Sequence, residues 1–153
     1  MIELQEVMRR RRLADYYYDN YRKYYLRREY SKASEFIWGT VNALSYGLGL
    51  FYGEKLTGHD EVVKFLKILA IQHEEIREGI LAVQRLHANY FHNFMDEDLF
   101  EEDRSKAERL LNKLAELLDL KINTFITGGK APKPFRLHSP LQCIPQPTIY
   151  HQY

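Results

Sequence analysis

The sequence predicts an all-α body followed by a non-helical, proline-rich arm. Three observations carry that expectation. Glycine interrupts the first 127 residues only at Gly39, in the 47 to 58 region and at Gly79. Runs of β-branched residues with a period of two are missing there, while apolar residues recur at helical spacing. All five prolines (Pro132, Pro134, Pro140, Pro145 and Pro147) lie beyond the Thr127-Gly128-Gly129 junction, and no helix runs through such a series. The expected division is a helical bundle over 1–127 and an arm over 128–153. Phe135, Leu137, Leu141, Ile144, Ile149 and Tyr150 would anchor that arm on the bundle or on a partner subunit.

A length of 153 residues suits one domain with its own core. A hydrophobic content of 45% with a mean hydropathy of −0.48 is that of a soluble globular chain, which excludes collagen-like and bulk-disordered classes. The single cysteine, Cys143, excludes an intramolecular disulfide framework and a zinc site built on several thiolates. Met1 to Arg12 has no apolar segment behind its charges and is not a signal peptide, so the expected compartment is the cytoplasm. The net charge of +1 hides segregation. Eight bases face two acids between Met8 and Arg28, six bases face twelve acids between His73 and Asp119, and four bases face none from Lys121 onward.

The first helix is expected over roughly Leu4 to Glu29, with Tyr17, Tyr21 and Tyr24 on one stripe and Leu13 and Ala14 extending it. Ser31 suits the N-cap of a second helix, Lys32 to Tyr52, because its hydroxyl can accept from a free amide of the first turn. The 18 uncharged residues between Glu35 and Glu54 approach the length of a membrane span. Thr40, Asn42, Ser45 and four glycines dilute the run, so a buried central helix is preferred and no membrane is implied. Gly39, Ala43 and Gly47 would let another helix, from this chain or a partner subunit, approach closely. After a loop from Gly53 to Asp60, a third helix is expected over Glu61 to Ala70 and a fourth over Gln72 to Phe94. Asp96 or Asp98 opens a fifth, whose acidic first turn complements the helix dipole and which ends near Ile122.

The fourth helix is the most informative. Ile76, Ile80, Val83, His87, Tyr90 and Phe94 share one stripe, in which His87 reads as a buried neutral histidine held by a hydrogen bond, a structural polar residue of the core. The opposite stripe carries Glu74, Glu78, Arg85, Asn89, His92 and Asp96. Arg85 and His92 lie two turns, about 10 Å, apart on one face, where both could reach a phosphodiester or meet their two-fold mates. The alternative is a solvated helix face. Arg9, Arg10, Arg11, Arg12, Arg22 and Lys23 are interleaved with tyrosines, seven of the chain's twelve lying between Tyr16 and Tyr30, a pattern that suits RNA or single strands. The competing reading makes the tyrosines core and pairs the arginines with the acidic helices. Metal and cofactor sites are not expected. The residues three before His59, His73, His87 and His92 are Leu56, Ala70, Gln84 and Asn89, so no Glu-x-x-His exists there, and no Gly-rich phosphate loop follows a strand.

The run SKASEFIWGTVNAL at 31–44, GHDEVVKFL at 58–66 and LHANYF at 86–91 before an acidic helix resembles the archaeal PaREP family of the HEPN superfamily. The resemblance covers roughly residues 10 to 120 and implies an antiparallel bundle of four to five helices, usually a homodimer. It further implies an RNA-directed protein, in many members a metal-independent endoribonuclease whose site is composed across the dimer. The family's Arg-x4–6-His motif falls on Arg85 and His92, with Leu86 in place of the usual polar residue after the arginine. In that reading His92 is the general acid or base, Arg85 neutralises the phosphorane, and Asn89 orients the phosphate or the imidazole. The partners implied are RNA, a second copy and an antitoxin-like protein. The alternative function is a non-catalytic helical interaction or dimerisation module.

Overall fold

The computed structural model describes residues 2–129, and every regular element among them is an α-helix: α1 (Leu4–Leu26), α2 (Tyr30–Phe51), α3 (His59–Leu69), α4 (Glu74–His92) and α5 (Glu97–Thr127). Chain directions follow from side-chain pairs. On α1 and α2, Arg10 lies over Tyr46, Tyr17 over Gly39, and Tyr24 stacks on Phe36, an antiparallel register set by the short connection over Arg27 to Glu29. Ser34 meets Asn89 and Trp38 meets His87, so α2 and α4 are antiparallel. Arg85 meets Asp103 and Gly79 faces Leu110, so α4 and α5 are too. The result is a helical bundle of α1, α2, α4 and α5, with α3 laid against α2 and α4.

α2, uncharged from Phe36 onward, is the central element, as its composition predicts. It touches all four other helices, and Ile37, Val41, Leu44 and Leu48 are wholly buried. The small residues at 39 and 47 are explained within the chain. A methyl at Gly39 would come 3.2 Å from the Tyr17 ring, and one at Gly47 would come 3.1 Å from Leu118.

Between α1 and α5 the gap is wide enough for long polar side chains. Tyr18, Tyr21 and Tyr25 are buried, with Tyr18 and Tyr21 donating to Glu108 and Tyr25 donating to Glu101. Arg104 bonds Glu101, pairs with Glu108 and donates to the Tyr21 hydroxyl. Each buried hydroxyl thereby has an acceptor, which its burial requires. Burial, then the field of Glu108, pushes the Tyr21 phenol well above its usual pKa. The buried tyrosine stripe is therefore 18, 21 and 25, while Tyr17 and Tyr24 pack beside it against α2, a shift of phase from the expected 17, 21 and 24.

Helix ends differ from expectation for local reasons. α1 stops at Leu26, and Arg28 takes a left-handed backbone at φ 59°. Ser31 lies inside α2, which begins at Tyr30, and its hydroxyl donates to the Tyr90 carbonyl instead of capping. α3 begins at His59, two residues early, after extended Gly58. α4 starts at Glu74 and ends at His92, stopped by left-handed Asn93, a residue type that tolerates that region. Asp96 caps α5, accepting from Leu99 N at 2.8 Å, and α5 runs five residues past Ile122 to a left-handed Gly128. Beyond Gly129, the proline-rich arm with its anchors and Cys143 lies outside the described residues.

Candidate functional site

The three residues of the expected catalytic face do not share an environment. Arg85 Nε and Nη2 bind Asp103 Oδ2 and Oδ1 at 2.8 and 2.6 Å, a two-pronged pair with a wholly buried carboxylate. The Arg85 side chain itself remains 37% exposed. Asn89, expected on the polar stripe, is instead fully buried. It donates to Ser34 Oγ at 3.1 Å and accepts from Met95 N at 2.9 Å, tying α2 and the turn after α4 together. Its amide is used at both ends, so it is a structural residue in this geometry. His92 is exposed at the C-terminal end of α4.

The basic residues of α1 divide equally clearly. Arg11 contradicts the expectation of a phosphate contact: it is fully buried and paired with Asp119 at 2.9 Å and Asp15 at 2.6 Å. Arg9 and Arg10 both bind Glu6, holding its carboxyl down to about 2, and Arg10 lies over Tyr46. Arg22 is half-buried. Arg12 and Lys23 are exposed and have no ion pair among the described residues. Two cations outside the expected set join them. Arg27 and Lys32 flank the Tyr24 ring at 5.7 and 5.3 Å, with Lys23 at 5.9 Å. The signal was the i, i+3 spacing of Tyr24 and Arg27.

Beside this group opens a cleft of about 250 Å³. Its walls are Tyr17 from α1, Glu35, Phe36, Trp38 and Gly39 from α2, and His87, Tyr90 and Phe91 from α4. Gly39 lets the Tyr17 ring approach α2 closely, where an added methyl would come 3.2 Å from it. Trp38 stacks on His87 at 4.6 Å and 26°, and His59 completes the cluster at 4.9 Å from Trp38 and 5.3 Å from His87. Phe91, 65% exposed, meets His87 edge-on. Glu35 is half-buried and has neither hydrogen bond nor ion pair among the described residues.

His87 therefore differs from the expected core histidine: it is half-buried, and ring stacking rather than a hydrogen bond holds it. Burial, then the nearby His59, lowers its pKa. A depressed histidine pKa favours the folded state above the unfolded value, about 6.5. That contribution is lost as pH falls through the folded value, because the unfolded chain takes up the proton first. Trp38 is the chain's one tryptophan and reports on this titration. Its fluorescence is expected to fall with a midpoint below the ordinary histidine value, and the midpoint should rise in His59→Gln. A midpoint unmoved by either His87→Gln or His59→Gln would contradict the assignment.

Among the described residues no group of three His, Cys, Asp or Glu side chains is placed to hold a metal ion, and no helix is long and apolar enough to cross a membrane. No protein-family model, curated protein or solved structure matches the chain.

Proposed function

We propose that this chain is a HEPN-type, RNA-directed protein that binds single-stranded RNA along the outer face of α1 and the α2–α4 cleft. One observation carries the reading: exposed cations share the outer face of α1 with the exposed ring of Tyr16, and Lys23 and Arg27 reach the Tyr24 ring that stacks on Phe36 in the cleft wall. At 100° per residue, Arg9, Arg12, Tyr16 and Lys23 of α1 and its C-cap Arg27 fall in a sector of about 60°, with Asp19 beyond its edge. Tyr16 is 60% exposed there. Phosphate contacts from such cations supply affinity without regard to sequence, and the rings accept bases. Of the acids of α5, Glu101, Asp103, Glu108 and Asp119 are bound to the tyrosines, Arg104, Arg85 and Arg11.

A second reading, the composite-dimer endoribonuclease, keeps one supporting observation. Asp103 fixes Arg85 through Nε and Nη2, while Nη1 has no partner among the described residues and the side chain reaches solvent. Such an arginine is held in place to donate to a phosphate, with His92 two turns away. With Asn89 buried and Arg85 engaged, binding without cleavage is the better supported function.

Both readings meet in one experiment, in which a fluorescent single-stranded RNA is titrated with the chain in EDTA and then run on a denaturing gel. The expected result is a saturable anisotropy increase with intact RNA for wild type and His92→Ala alike. Cleavage lost in His92→Ala would establish the nuclease instead. No anisotropy change would remove the RNA reading altogether.

A further inference from the structure

The cleft differs from a generic stacking platform in one respect: a carboxylate stands among its rings. Glu35 shares the cleft with Phe36, Trp38, His87 and Tyr90, and it has no hydrogen-bond or ion-pair partner among the described residues. A carboxylate in an aromatic cleft invites two classes of ligand, a cation or a planar ring with N–H donors. The surroundings decide between them. Lys23, Arg27 and Lys32 crowd the ring of Tyr24, which is stacked at 5.4 Å and 5° on Phe36 in the cleft wall. That cluster repels an ammonium ligand and attracts one whose ring carries an anionic tail.

From this geometry we infer that the cleft is a guanine-selective subsite for one unstacked base of a single-stranded RNA. The inference rests on the RNA-binding reading above and adds its specificity. At about 250 Å³ the cleft is smaller than the roughly 300 to 1,000 Å³ of drug-sized pockets, so it admits a single base and leaves sugar and phosphate outside. A carboxylate only accepts hydrogen bonds. Guanine offers two adjacent donors, N1–H and the 2-amino group, matching its two oxygens. Adenine and cytosine each offer one amino group beside an acceptor nitrogen, and uracil offers one N–H between two carbonyls. Both of those flanking patterns repel a carboxylate. The base stacks on the rings, as single-stranded recognition requires, while its phosphates face Lys32 and Lys23.

Trp38 in the cleft wall is the readout. Short oligouridines carrying one central guanine, inosine or adenine are titrated against wild type and Glu35→Gln, following Trp38 quenching and anisotropy together. In wild type, guanine is expected to bind about tenfold tighter than adenine, within the range of a bidentate base contact, with inosine between because it lacks the 2-amino donor. Glu35→Gln should level or reverse the preference for guanine over adenine, because an amide pairs one donor with one acceptor as the adenine edge does. Equal binding of all three by wild type would overturn the guanine subsite and leave the RNA reading standing. No binding of any oligonucleotide would remove both. Quenching of Trp38 by choline but by no oligonucleotide would overturn it in favour of a cation site.

Discussion

Asp119→Ala is expected to destabilise the fold by about 3–5 kcal/mol, the cost of stranding a buried charge. Arg11 is 0% exposed and its guanidinium is held by Asp119 through Nε and Nη2 at 2.9 and 3.4 Å, and by Asp15 through Nη1 at 2.6 Å. Burial opposes the charge, but the hydrogen bonds and field of Asp119 and Asp15 outweigh it, and the Arg11 pKa lies above its ordinary value. Truncating Asp119 removes two of the three bonds and leaves the charge in the α1–α5 gap. Replacing the pair together, Arg11→Met with Asp119→Leu, should recover most of the loss, because apolar residues of similar volume remove both desolvation penalties at once. Urea unfolding measures both variants. A shifted midpoint with an unchanged slope is the expected form. A loss below about 1 kcal/mol would mean that the pair behaves like a solvent-screened surface bridge.

Gly79→Ala is the second large effect, and its sign runs against helix propensity. Alanine in a helix interior is favoured over glycine by about 1 kcal/mol. At Gly79, however, an added methyl would stand 2.6 Å from Leu110 Cβ and 3.1 Å from the Lys106 carbonyl. Leu110 is wholly buried and its Cβ is fixed to the α5 backbone, so relief requires the two helices to separate. The expected net result is a destabilisation of about 1–3 kcal/mol, the usual cost of overpacking. Gly58→Ala is the control. Its added methyl meets nothing within 4 Å and its φ of −158° is ordinary extended backbone, so any loss should stay within about 1 kcal/mol, the scale of an N-cap change at the start of α3. A stabilising Gly79→Ala would show that α4 and α5 are less closely packed than these distances state.

The helical body was legible because its signals are local: helical periodicity, an acidic opening of the fifth helix at Asp96 or Asp98, and prolines confined to the end. The partners of charged residues were not. Arg11 sits in a run of four arginines that reads as one basic patch, and its buried acceptor, Asp119, lies 108 positions away. A signal did exist. Arg11 shares the helical phase of Val7, Ala14, Tyr18 and Tyr25, all of which are buried, while Arg12 falls on the opposite side. Asn89 was misplaced for a related reason. The buried arc of α4 contains Ile76, Gly79, Val83, Leu86 and Asn89 because the helix is packed between α2 and α5, and a polar residue on such an arc looks like surface. His87 lies at the edge of that arc, and this brings it into the cleft with Trp38 rather than into the core.

What separates a nucleic-acid face from a merely solvated one is its response to salt. Single-stranded RNA releases counterions in proportion to the phosphates neutralised, with a slope of about 0.7 per contact in log–log form. Arg12, Lys23 and Arg27 are exposed, so changing all three to glutamine leaves the buried pairs of α1 intact. Measured by anisotropy across a salt series, the triple variant is expected to bind more weakly at every concentration and to lose about 2 from the slope, three contacts at 0.7 each. An unchanged slope would contradict the central claim, because the cations of this face would then make no phosphate contacts.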